Sequence, residues 1–303
     1  MARILVTGGA GFIGSHVTEA YLNAGHEVAV LDNLSTGQTD FIPSGVKFYQ
    51  ADITDLPTVQ QIINEFKPEV INHHAAHIQV GHSVVDPQFD AQNNIIGLLN
   101  IMQSAKDVGT VKKVIMASTG GAMYGDQPTP FKESMAPQPL SPYGISKRSG
   151  ELYLHFYAVQ YGIEYVVLRY ANVYGPRQNP HGESGVVAIF MEKLQKGEQP
   201  LINGSGEHTR DYVHVSDVAK ANLLALDYAT NGIFNIGTAT ETTANQVYDL
   251  VTKAMGINQP AEHGPERPGE QVTSSLDYSL AQQKLGWEPT IDFTQGVAEL
   301  VKQ

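Results

Sequence analysis

Cysteine is absent from the 303 residues, which removes disulfides, thiolate metal sites and a cysteine nucleophile. Positive charge is scarce as well: 19 Lys and Arg stand against 31 Asp and Glu, a formal net charge of -12. A chain this acidic is unsuited to coating a nucleic acid or an anionic membrane, although a few arginines gathered in one cleft can still hold an anionic small molecule. Long apolar runs are missing too. No stretch approaches the roughly twenty residues of a membrane span, and the opening MARILVTGGA holds an apolar run too short for a signal-peptide core. The expectation is a cytoplasmic protein with no membrane or nucleic-acid partner. Internal repeats and low-complexity tracts are also lacking. What is present, 42% hydrophobic and 17% charged residues, is ordinary for a globular protein of one large domain or two modest ones.

Ile4 to Thr7 is a short β-branched-rich run, followed by glycines and the helical pattern Phe12-Ile13, Val17, Tyr21-Leu22. Further strands are predicted at Glu27 to Leu31, Val46 to Tyr49, Val70-Ile71, Val111 to Ala117 and Tyr165 to Arg169. Helical spacing marks Asn93 to Ala105 and Ser146 to Gln160. Short strands alternating with helices predict a parallel sheet covered on both faces, an α/β Rossmann-type doubly wound fold. After about Pro176 the chain turns irregular, with EHGPERPGE (Glu262 to Glu270) as its loosest stretch. The expected organisation is a nucleotide-binding domain over 1–177 and a smaller α/β substrate-binding domain over 178–303, with part of the chain returning to the first around 211–240.

TGGAGFIG puts Gly8, Gly11 and Gly14 between the first strand and the first helix. Glycines there allow a tight turn and let the backbone approach a pyrophosphate at the helix N-terminus. A purely structural turn is the alternative, but a strand before, a helix after and Asp32 ending the second strand favour a dinucleotide. A carboxylate at that place accepts from ribose hydroxyls and repels a 2′-phosphate, which favours NAD over NADP.

SPYGISK sets Tyr143 and Lys147 four residues apart on one helix face. A free phenol has a pKa of about 10; a neighbouring ammonium and a cationic nicotinamide ring both act to lower it. The pattern predicts a general base near neutral pH that takes a hydroxyl proton as hydride leaves the same carbon. The alternative is a surface tyrosine beside a solvated lysine.

TGxxGxxG followed by YxxxK resembles the extended short-chain dehydrogenase/reductase superfamily. LDNLSTG (Leu31 to Gly37), ADITD (Ala51 to Asp55), HHAA (His73 to Ala76), LRYANVYGPRQ (Leu168 to Gln178), TRDYVHVSDV (Thr209 to Val218), NIGT (Asn235 to Thr238) and RPGE (Arg267 to Glu270) narrow the likeness. Together they resemble the UDP-glucose 4-epimerase-like nucleotide-sugar epimerases over nearly the whole chain.

That resemblance implies tightly held NAD, a UDP-sugar substrate and a homodimer pairing through the helices around Asn94–Ala105 and Ser146–Gln160. By position, the implied NAD contacts are Gly8, Gly11, Phe12, Ile13 and Gly14 in the first turn. Asp32, Asn33, Ser35 and Gly37 follow the second strand, and Asp52 and Ile53 the third. His73, Ala75, Asn94, Tyr143, Lys147 and Tyr170 complete the set. The implied substrate contacts are Thr119, Tyr143, Asn172, Val187, Arg210, Arg267, Glu270 and Ser274. Of these the arginines face the diphosphate and Glu270 the uridine ribose. Tyr143 would take the 4-hydroxyl proton while the C4 hydride passes to NAD. The 4-keto sugar would then turn and regain the hydride on its other face. The histidines of NHHAAH suggest packing beside the cofactor rather than a metal, since neighbours on a strand point to opposite faces.

Related activities stay open. The family's 4,6-dehydratases carry an Asp-Glu pair after the strand-end threonine, where this chain has Gly120 and Gly121. A decarboxylase or a non-catalytic NAD-sensing protein is disfavoured for want of those groups or by the retained Tyr143 and Lys147. The small Ser274 leaves room for UDP-GlcNAc, and a UDP-hexuronate 4-epimerase is a further alternative. In ASTGGAMYG the place of the family's active-site serine, four residues before Tyr124, is Gly120. Thr119 or Ser118 is expected to supply the hydroxyl, Thr119 by preference, with Tyr124 lining the sugar pocket.

Overall fold

A computed structural model describes residues 1–180, 185–266 and 271–302. The first half alternates β1 (Arg3–Thr7), α1 (Phe12–Asn23), β2 (Glu27–Asp32), β3 (Lys47–Gln50), α2 (Leu56–Phe66) and β4 (Val70–His73). Two short helices follow, α3 (Val80–Val85) and α4 (Pro87–Ala91). The latter runs through a π-helical segment (Gln92–Ile96) into α5 (Gly97–Val108). Next come β5 (Lys113–Thr119), α6 (Pro142–Tyr161), β6 (Glu164–Tyr170), β7 (Asn172–Tyr174) and α7 (Val186–Gln195). The remainder is β8 (Leu201–Asn203), β9 (Thr209–Arg210), β10 (Tyr212–His214), α8 (Val215–Asp227), β11 (Gly232–Ile236), β12 (Thr242–Thr243), α9 (Ala244–Met255), β13 (Glu262–Gly264), α10 (Ser279–Leu285) and α11 (Phe293–Leu300).

Seven strands form one parallel sheet in the order β11-β6-β5-β4-β1-β2-β3. The order reverses between β1 and β4, where Thr7 lies beside His73. A doubly wound sheet opens a crevice for a ligand at such a reversal, outside the carboxyl ends of the strands. The pleat sends alternate residues to opposite faces: Ile4 and Val6 pack with Val17 and Val218 under α1 and α8, whereas Leu5 packs with Ile63, Ile101 and Leu154. Val187, Phe190, Tyr248 and Val251 form a separate core in the C-terminal part. No helix among the described residues is long and apolar enough to cross a membrane.

Two boundaries differ from the sequence reading in ways that matter for the site. β5 runs on through Ser118 and Thr119, past the expected end at Ala117. α6 begins at Pro142, four residues ahead of Ser146. Ser141 caps it by accepting from Gly144 N at 3.1 Å, and the proline, whose missing N–H is no loss in a first turn, sets its entry. Tyr143 therefore stands in the first turn of α6, at the positive end of the helix dipole. Gly162, at φ 69°, closes the helix in the left-handed conformation that glycine adopts without strain.

Candidate active site

The turn between β1 and α1 is shaped by close backbone approaches. Gly8 has φ 71°, and a Cβ there would lie 2.6 Å from Ala75 N, at the start of the segment after β4. A Cβ on Gly14 would lie 2.1 Å from Gly8 O, and one on Gly37 2.9 Å from Ala10 C. Gly11 is the N-cap of α1 with no side chain bonded there, and the first turn holds no acidic residue. The amides of Phe12 and Ile13 thus have neither an intrahelical acceptor nor a competing carboxylate, which suits a pyrophosphate. This cradle fits the diphosphate of a dinucleotide. Asp32, nearly buried, accepts from Ala10 N at 3.0 Å and from Leu34 N at 2.8 Å, holding both loops of the crevice. Asn33 donates to Asp52 at 2.8 Å and accepts from Ser35 N at 2.9 Å. Thr54 donates through its amide and hydroxyl to the other oxygen of Asp52. These side chains brace the far wall of the crevice.

Tyr143, Lys147 and Thr119 meet at the carboxyl end of β5. The Thr119 side chain stands close enough to the Tyr143 phenol to favour its ionised form, while Thr119 Oγ1 accepts from Ala122 N at 3.2 Å and Tyr143 N donates to Ser83 Oγ at 3.2 Å. Lys147 lies with Nζ 5.9 Å from the centre of the Tyr143 ring and donates to Ala117 O at 3.1 Å. Burial brings the Lys147 ammonium down to about 8, against the pull of Asp90 and Glu151 towards the charged form. The expectation of a phenol near neutrality includes a cationic nicotinamide ring beside it. In the protein by itself burial pushes Tyr143 up, the Asp90 carboxylate adds to the rise, and only the Thr119 side chain opposes it.

Ser118 points elsewhere. It is buried and donates its one proton to Glu151 Oε1 at 2.9 Å, which accords with the preference for Thr119 of the two candidate hydroxyls. Glu151 is clamped by Arg169, with Nε to Oε1 at 2.8 Å and Nη2 to Oε2 at 2.6 Å. Arg148 adds a further bond at 2.9 Å. Arg169 also donates to the Tyr124 hydroxyl, which donates to Asn235. Tyr124 is 0% exposed, so it is part of this network and does not line a sugar pocket. Gly120 has its own reason: a Cβ there would lie 2.3 Å from Leu276 Cδ1. Leu276 fills the place of the missing serine side chain, and its amide is tied to Asp211 Oδ2 at 3.1 Å.

Several expected contacts are occupied by other groups. Val187 is buried in the C-terminal core. Asn94 Oδ1 accepts from His77 N, and its Nδ2 has His77 O, Asp90 Oδ1 and Ser146 Oγ within bonding distance. His73 Nδ1 lies 2.8 Å from Thr7 Oγ1, and His74 Nε2 lies 3.1 Å from the Tyr170 hydroxyl. Burial brings both imidazoles down to about 3, so both are neutral. Tyr170 further accepts from Asn222 at 2.8 Å. Ile53 packs against Gly97 in the core. Asn172 opens β7, beside Tyr212 of β10. Arg210 Nη1 bonds Thr209 O and Gln271 O. Ser274 is nearly buried across from Gly121. Arg267 and Glu270 lie outside the described residues. The sequence reading missed Asp90, Asp211, Leu276 and Glu151. Only Glu151 left a usable signal, standing four residues after Lys147 on the same helix.

Known proteins match this arrangement. The NAD dependent epimerase/dehydratase family matches residues 4–237. A UDP-glucose 4-epimerase of Mycolicibacterium smegmatis is 43% identical over 307 residues, covering 99% of this chain and 97% of that protein. The crystal structure of UDP-glucose 4-epimerase with UDP-glucose from Thermotoga maritima superposes with a TM-score of 0.96 at 47% identity, covering 99% of this chain and 97% of the other. That of the Thermus thermophilus UDP-glucose 4-epimerase complex with NAD gives 0.94 at 44% identity, covering 99% and 98%.

Proposed function

The chain belongs to the NAD dependent epimerase/dehydratase family, and from that premise we propose that it interconverts UDP-glucose and UDP-galactose by inverting C4. The observation that carries this reading is the Thr119–Tyr143–Lys147 group beside a glycine cradle shaped for a diphosphate. NAD, when bound, supplies the two-electron acceptor that C4 needs to lose and regain its hydrogen. Tyr143 Oη takes and returns the 4-hydroxyl proton, and Thr119 holds the 4-oxygen against it. The Lys147 ammonium favours the phenolate at close range. Arg210 and Arg267 anchor the diphosphate while the sugar turns, with Asn172 and Glu270 also on the nucleotide. An acidic protein needs no more than such focused guanidiniums to hold an anion. In this reading residues 1–177 hold NAD and 178–303 the UDP-sugar.

A second reading, that N-acetylated UDP-sugars are accepted too, is favoured by the small Ser274 across from Gly121. Purified protein without added NAD should convert UDP-galactose to UDP-glucose, and UDP-GalNAc at a comparable rate. No turnover of either sinks the first reading, and turnover of the plain hexose alone sinks the second.

The Thr119 role has its own test. A charge-assisted hydrogen bond contributes about 1.5–3 kcal/mol, so Thr119→Ala should lower kcat about ten- to a hundred-fold. Ser118→Ala should leave kcat within about threefold and show its cost in thermal stability instead. The reverse pattern would exchange the two assignments.

The assembly proposed is a homodimer in the cytoplasm. Ile145, Leu152, Phe156 and Val159 form an exposed apolar stripe along α6, at helical spacing, with Ile96 exposed on the π-helical segment. A patch of this kind calls for a partner surface. Sedimentation as a single 32.9 kDa chain would remove the dimer, and recovery outside the soluble cell fraction would remove the location.

A further inference from the structure

α4 presents a carboxylate that the reaction above leaves unused. Asp90 is 1% exposed. Its Oδ1 accepts from Asn94 Nδ2 at 3.0 Å and lies 3.4 Å from His77 Nδ1. Its Oδ2 is buried with no hydrogen-bond partner. Leaving a charged oxygen unsatisfied in the interior is costly. The fold nevertheless seats this one where α4 packs against α6, the helix that carries Tyr143 and Lys147. Water is excluded there, so the charge acts over a longer range than it would at the surface.

We propose that Asp90 is a positioning residue for the reaction: its buried carboxylate, seated by Asn94 and His77, sets how many protons the Tyr143–Lys147 pair holds. This rests on Tyr143 being the base. The surroundings leave few rivals for the part. From the segment after β4 comes His77, and from α3 His82, whose ring centre is 4.9 Å from that of His77. His82 and Asp86 are exposed, so solvent and salt screen them. The π-helical segment contributes the neutral Asn94. α6 contributes Tyr143, Ser146, Lys147 and, one turn on, Glu151, which is already held by Arg169. Asp90 favours the protonated form of both the phenol and the amine. Because Asp90 acts on both groups in the same direction, both should move to lower pH when the carboxylate is neutralised. The use to the enzyme is proton retention: the carboxylate favours a protonated phenol until a positive charge stands beside it.

The test is the pH profile of kcat/KM for the purified holoenzyme with UDP-galactose. Asp90→Asn should shift both limbs to lower pH by about one unit, and Asp90→Glu should bring them back towards the wild-type positions. Asp90→Ser gives the same reading if the asparagine variant does not fold. Limbs that stay in place in the neutral variants, with only the amplitude reduced, overturn the proposal and leave Asp90 as a support for Asn94. His77→Gln should leave the limbs in place; a shift equal to that of Asp90→Asn assigns the effect to the imidazole and also overturns it. Failure of the base reading is distinguishable, because it requires Tyr143→Phe to remain active, whereas unmoved limbs with an inactive Tyr143→Phe defeat only the role of Asp90.

Discussion

Replacing Tyr143 by phenylalanine should lower kcat on the order of a hundred- to ten-thousand-fold while folding and bound NAD are retained. The substitution removes one hydroxyl and keeps the ring, so the first turn of α6 and its Ser141 cap are undisturbed. What disappears is the hydroxyl beside Thr119, the atom proposed to carry the proton. The wild-type acid limb follows from the direction of the shift. Burial and Asp90 hold the phenol up, so the working ionised form is scarce at low pH and grows as pH rises. In the variant no phenol remains to titrate, and that limb should vanish along with most of the rate. Steady-state kinetics with UDP-galactose across pH, beside the absorbance of retained cofactor, measures both. A rate within tenfold of wild type with the limb intact would assign the proton to another group. A raised KM at unchanged kcat would make Tyr143 a binding residue only.

Glu151→Ala should destabilise the protein by about 3–5 kcal/mol, the usual cost of stranding one member of a buried ion pair. Arg169 is 2% exposed and would be left with the Tyr124 hydroxyl as its remaining bond in this network. Ser118 would lose its acceptor, and Arg148 its partner. Urea denaturation at neutral pH reads the change as a lower midpoint. Replacing Glu151 and Arg169 together by methionine should recover much of the loss, because no uncompensated charge then remains inside. A single-variant loss below about 1 kcal/mol would mean that water reaches Arg169 and that the clamp is looser than its geometry. The clamp also bears on chemistry, since it joins the end of β5 to the helix that carries Tyr143 and Lys147.

The alternation of short apolar strands with helices was legible because burial on both faces writes itself into composition, and β1, β2 and β6 lie within a residue or so of their expected bounds. The early start of α6 was legible in principle, since Ser141-Pro142 is a cap followed by a first-turn proline. Apolar periodicity marks only Ser146 onward, because Tyr143 and Gly144 fit no apolar stripe, but the spacing of Tyr143 and Lys147 already puts both on one helix face. α3 and α4 left no signal: they are short, and Val84, Val85 and Phe89 face outward. In the site, Tyr143 and Lys147 could be read from spacing. The choice between Thr119 and Ser118 could not, because it depends on which face of β5 meets Glu151. Asp90 was hidden for the same kind of reason, since an aspartate in a polar helix reads as solvated until the packing of α4 on α6 buries it. The cause of the glycine at position 120 lies in Leu276, far along the chain.

The outermost strand of the sheet carries a further consequence, one for biosynthesis. β6 ends at Tyr170, yet its outer neighbour β11 begins at Gly232. A ribosome must deliver everything from β7 to α8 before that strand can dock. Through this interval β6 is a raw edge of EYVVLRY, with unpaired amides and carbonyls open to any passing strand. Nascent chains in that state are the ones chaperones shield and crowded cells lose to aggregates. A polypeptide stopped at residue 177 would hold that edge open permanently. The full chain covers with β11 an edge that such a piece would leave open.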